Sequence, residues 1–123
     1  MIKSSLRLPV TGAPATVVNV SQLNPSVVMS ALGSPVRWAI VHLLADGRSQ
    51  TISQVAAVVG GLPDTISKQL WVLQRAGVLE CRAGEDRRQT LFAVPAAYRE
   101  NPGVIDFGFG QLQFPDVLPM GKD

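Results

Sequence analysis

From Asn24 onward the apolar residues recur first at helical spacing and later with period two. Asn24-Pro25 predicts a helix start, since asparagine can cap and proline is pre-set for the first helical position. The helix PSVVMSAL ends at Gly33, and Ser34-Pro35 repeats the same device ahead of PVRWAIVHLLA. In that second helix Val36, Ile40, Leu43 and Leu44 form the predicted apolar stripe, and Asp46-Gly47 stops it. Thr51 and Gln54 have capping-box spacing before VAAVV, a short helix that ends at Gly60-Gly61. A longer helix over 63–76 should bury Ile66, Leu70 and Leu73, at i, i+4 and i+7. The β-prone runs VLECR (78–82) and QTLFAV (89–94), joined by AGEDRR, predict a hairpin. A helical turn follows Pro95, and beyond Pro102 the run VIDFGFGQLQF alternates with period two, predicting a strand.

Residues 1–23, with Pro9, Gly12 and Pro14, read as an arm in which VVNV (17–20) forms a short strand, and 115–123 read as a loose end. The element order is that of a mainly α fold with a small β wing, a winged helix-turn-helix with extra strands from the termini. It divides into the arm (1–23), the winged helix-turn-helix domain (24–100), and a C-terminal strand and tail (101–123) assigned to dimerisation.

With 123 residues and 46% hydrophobic content, the chain suits one packed domain. No apolar run approaches the ~18–20 residues of a membrane span, and the N-terminus does not read as a secretory signal. The single cysteine, Cys81, excludes an internal disulfide and agrees with a cytoplasmic location. Cys81 and His42 are the only soft or borderline ligands, so no metal site is expected within one chain. No cofactor motif and no G-x-S-x-G, Walker or G-x-G-x-x-G string occurs, so catalytic residues are not assigned and the chain does not read as an enzyme. The net charge is only +2, with four Lys/Arg against one acid over residues 1–61 and five against four over 62–90. Nucleic-acid binding would therefore rest on a few placed cations.

The ordered set Ala31-Leu32, Ser34-Pro35-x-Arg37, Leu43-Leu44, Gln54-Val55-Ala56, Thr65-Ile66-Ser67-x-x-Leu70-x-x-Leu73 and Ala76-Gly77-Val78-Leu79 resembles the ArsR-type winged helix-turn-helix repressors over about residues 29–94. The resemblance implies a dimeric DNA-binding transcriptional regulator. The family's metal sensing does not carry over, because the position of the usual Cys-x-Cys pair falls in TISQVAA. The effector is unassigned.

Asp64, Lys68, Trp71 and Arg75 lie opposite the apolar stripe of the 63–76 helix, with Thr65 and Ser67 flanking its first turn. A helix entering a major groove reads bases with such short polar side chains and a cation, and Asp64 could accept from a cytosine amino group. By resemblance, Thr65, Ser67 and Lys68 sit where the family contacts bases and nearby phosphates. The ordinary alternative is a solvated face with a weak Asp64–Lys68 pair. Trp71 is assigned to packing and kept off the base-reading set. Arg82, Arg87 and Arg88 on the wing suit phosphate contact or a minor groove, against the alternative of a polar turn neutralised by Glu85 and Asp86. Arg37 could touch phosphate or pair with Glu80. In the C-terminal run, Ile105, Phe107 and Phe109 would line one face of a strand and build a homodimer interface with VVNV of the same or a twin chain. The sequence thus reads as a homodimeric, cytoplasmic duplex-DNA-binding repressor with no membrane partner. The alternative is a winged-helix protein–protein interaction module in a larger complex.

Overall fold

The computed structural model describes residues 23–114. Residues 1–22 of the arm, with the VVNV segment, and the end from 115 on lie outside the described residues. Helix α1 (Pro25–Leu32) is capped by Asn24, whose side-chain oxygen accepts the backbone N–H groups of Ser26 (3.1 Å) and Val27 (3.4 Å). Helix α2 (Pro35–Leu44) begins in the same way, Ser34 Oγ accepting from Arg37 N–H at 3.3 Å. Val28, Ala31 and Leu32 of α1 and Ile40, Val41, Leu43 and Leu44 of α2 are buried. Val36 is 39% exposed, contrary to the predicted stripe, because Val41 takes the inward position. It lies one turn too early to face the core, which α2 meets through its second half. The two helices meet at 99° and neither alone is long enough to cross a membrane.

The capping box forms as the spacing predicts. Thr51 Oγ1 accepts from Gln54 N–H (3.2 Å) and Gln54 Oε1 accepts from Thr51 N–H (2.9 Å). Helix α3 (Ile52–Val59) then buries Val55 and Ala56. Gly60 and Gly61 take φ of 92° and 120°, values that a side chain resists, and so turn the chain into α4 (Pro63–Arg75). Helix α4 buries Ile66, Leu70 and Leu73, the predicted face. At its end Val78 N–H reaches Leu73 O (3.0 Å) and Gly77 N–H reaches Gln74 O (3.0 Å), with Gly77 at φ 88°. This double bond pattern ends the helix and points the chain into the wing.

The wing is the antiparallel pair β2 (Glu80–Ala83) and β3 (Thr90–Ala93). A two-residue strand, β1 (Gln50–Thr51), joins β3 from the other side, giving the order β1-β3-β2. Phe92 of β3 is fully buried and meets the Trp71 ring edge-on at 5.0 Å.

The C-terminal run is not one strand. It folds into its own hairpin, β4 (Val104–Asp106) paired with β5 (Gln111–Gln113). Asp106 Oδ1 accepts Gly108 N–H at 2.8 Å and Phe107 N–H donates to Gly110 O at 2.9 Å, with Gly108 at φ 93°. The mate that period-two alternation demands is therefore the second half of the same run. Ile105 and Phe107 are buried, and Phe114 stacks on His42 (4.8 Å) and lies 5.3 Å from Trp38. Ile105 and Phe107 thus belong to the core of the chain itself, which corrects their assignment to a free dimerisation face. Phe109 alone of the three stays exposed, at 41%, stacked on Phe107. The break at 100/101 separates no second core, since the hairpin packs into the same cluster as α2.

Candidate nucleic-acid interface

Helix α4 is fixed from behind by its three buried residues and from below by Trp71 on Phe92, so its remaining face is held at a defined angle to the wing. Trp71 is half-buried there, in a packing role. On the outer side, Asp64, Thr65 and Lys68 are exposed and Ser67 is partly so. The structure brings these four together on the first two turns of α4, and no salt bridge joins Asp64 to Lys68. The N-terminus of α4 carries no side-chain cap, because its N-cap residue is Leu62, whose side chain cannot accept a hydrogen bond. Leu62 is 72% exposed and Val58 of α3 is 65% exposed. Sequence reading passed over both, although an apolar residue at an N-cap is itself a signal.

At the wing tip Gly84 N–H donates to Gln89 O (3.0 Å) and Gln89 N–H to Asp86 O (2.8 Å). Asp86 also accepts Arg88 N–H at 3.0 Å and lies 3.5 Å from the Arg88 guanidinium. This pair is open to water and worth little, so Arg88 is not tied down. Arg87 is exposed beside it. Arg82 stands apart from the tip. It lies in β2 and its guanidinium donates to Ser49 Oγ (3.3 Å) across the sheet.

Arg37 does not pair with Glu80, the second of its two expected roles. Its Nε–H donates to Ala31 O (2.6 Å) and its Nη1 to Gln69 Oε1 (2.7 Å), so it ties the end of α1 to the recognition-helix candidate α4. Cys81 sits half-buried opposite Phe92. Asp46 closes the end of α2. Burial acts to raise its pKa, but hydrogen bonds and charge from Arg48 outweigh it and hold the carboxyl below its usual range. No group of three or more His, Cys, Asp or Glu residues clusters among the described residues.

The three-helix core, glycine turn and wing hairpin agree with the sequence comparisons. Residues 32–82 match a helix-turn-helix domain. The chain's fold is mainly α, with the small antiparallel wing of a winged helix-turn-helix. The match spans α2 to β2, so it contains α4, and a domain of this type implies DNA binding. The chain is also similar to the M. tuberculosis protein Rv0081, known from a crystal structure. The two are 27% identical with a TM-score of 0.50, over 57% of this chain and 68% of the other. No curated protein matches the sequence.

Proposed function

We propose that the protein is a sequence-specific duplex-DNA-binding transcriptional regulator of the ArsR-like type, acting in the cytoplasm as a homodimeric repressor without a metal sensor. The observation that carries this reading is the exposed polar first half of α4 inside the matched helix-turn-helix segment, beside a wing tip with two arginines. In it Thr65, Ser67 and Lys68 contact base edges, Asp64 accepts from a cytosine amino group, and Arg82, Arg87 and Arg88 hold phosphates. A homodimer is needed because two such helices must reach major grooves ~34 Å apart. Exposed Phe109, and Met29 of α1, are apolar side chains a second copy could cover.

The test is binding-site selection with the full chain, followed by variants. Ser67→Ala and Lys68→Ala should each weaken the selected site by about 1–3 kcal/mol with an unchanged melting temperature. If both variants bind the selected site like the parent, α4 is not the reading helix. A second reading, a protein-interaction module, is favoured by Val58 and Leu62, the two most exposed large apolar side chains described, at the turn itself. It predicts no site preference and a shallow salt dependence.

A further inference from the structure

Among the described residues, the groove between α1 and the second half of α4 is lined by two guanidiniums and no carboxylate. It is a cleft of about 430 Å³, whose lining includes Ser26, Val27, Ser30, Arg37, Val72 and Arg75. That volume lies within the usual range of small-molecule sites, ~300–1,000 Å³. Arg37 is immobilised by its bonds to Ala31 O and Gln69 Oε1, which use two of its five N–H donors. The others belong to the same held, planar guanidinium, and Arg37 is among the residues lining the cleft. Arg75 is exposed in the last turn of α4 and forms no salt bridge among the described residues. Its charge offsets the carbonyl end of α4, as a cation there ordinarily does. That effect does not account for a second, rigid cation in the same cleft. Ser26 hydroxyl donates to Asn24 (3.2 Å), and that of Ser30 is uncommitted among the described residues. Val27 and Val72 supply apolar wall.

We propose that this groove binds a small organic carboxylate with an apolar body. The carboxylate meets the Arg37 fork and Arg75, since a planar guanidinium matches a carboxylate through paired hydrogen bonds. Ser30 hydroxyl donates to it as well, and the apolar body lies against Val27 and Val72. The partner of Arg37 on α4 is Gln69, next to Lys68, so an anion on the same guanidinium bears on the contact that ties α4 to α1. That consequence, control of the DNA-reading helix, rests on the function proposed above; the binding itself does not.

The test is a titration of the isotopically labelled full chain with benzoate, followed by amide chemical shifts, with no DNA present. Saturable shifts are expected at residues 26–31 and 72–76. Arg75→Ala should weaken binding about tenfold, the worth of one charge-assisted hydrogen bond, while its shifts elsewhere match the parent. Neutral benzamide should not bind, and inorganic phosphate should bind more weakly than benzoate. No saturable benzoate shift at these residues overturns the proposal, whether or not a second copy or another segment covers the groove. Equal binding of benzamide, tighter binding of phosphate, or indifference to Arg75→Ala also overturns it. Because no duplex enters the experiment, its failure leaves the DNA-binding reading standing, and failure of DNA binding leaves this result standing.

Discussion

Leu62 occupies the N-cap of α4, a position where serine, threonine, aspartate or asparagine would satisfy a free backbone N–H. It contributes nothing to the core at 72% exposure. Leu62→Ser should therefore raise stability by roughly 1 kcal/mol, read as an upward shift of the thermal midpoint. A fall would show that Leu62 packs in a way its exposure does not reveal. Tyr98 is the opposite case, buried with its hydroxyl donating to Gly77 O at 2.8 Å. Burial, and secondarily the charge of Glu80, push its pKa above the ordinary phenol value. The folded chain thus keeps its proton at a pH where the unfolded chain has lost it. The contribution is complete below about pH 10 and is lost as the pH rises through the higher folded value. Tyr98 is the only tyrosine, so phenolate absorbance reports it alone. Tyr98→Phe should cost about 1 kcal/mol at neutral pH and flatten the alkaline loss of stability relative to the parent. An equal alkaline slope in both proteins would contradict this. At this scale the caps were legible, because Asn24, Ser34 and Thr51–Gln54 act within three residues of chain. Arg37 was not, because its partner Gln69 lies 32 positions away and no local pattern encodes that contact.

Among the elements, the four helices and the wing hairpin follow from periodicity, glycine stops and proline starts. The structure departs from that reading in the segment after Pro102. Alternation survives across a tight turn there, because Asp106 and Gly108 close the turn without breaking the period-two sequence of Ile105, Phe107 and Phe109. One strand and a hairpin look alike in such a run, and only the turn geometry decides between them. Strand β1 is two residues long and gave no signal of its own. The hairpin sets what a truncation does. Removing residues 103–123 strips Ile105, Phe107 and Phe114 from the core, so it should unfold the chain. Phe107→Ala should cost about 3–5 kcal/mol, whereas Phe109→Ser should change the melting temperature little. If Phe109 belongs to the proposed dimer surface, the serine variant sediments as monomer at concentrations where the parent is dimeric. Equal melting temperatures for Phe107→Ala and the parent would contradict the packing described here.

For the whole molecule, a net charge of +2 leaves little room for unspecific attraction. Affinity for DNA must come from few contacts, and the exposed arginines of the wing tip are the most direct. Arg87→Ala with Arg88→Ala should lower affinity for all duplexes alike and reduce the salt slope by roughly one to two. Zinc, cadmium, arsenite and a chelator should leave binding unchanged. Metal-dependent release abolished by Cys81→Ser would contradict that. The helix-turn-helix was legible because its constraints are local and ordered along the chain. The proposed DNA face was legible only as a surface of α4, since which bases such a face meets depends on a partner absent from the sequence. The central claim is that this surface reads duplex DNA. It is tested most directly by the affinity of the full chain for its selected site, and for a scrambled duplex, as a function of salt. The account predicts a preference of at least about a thousandfold for the selected site and a linear fall of log affinity with log salt. Equal, salt-insensitive affinity for the two duplexes would contradict it.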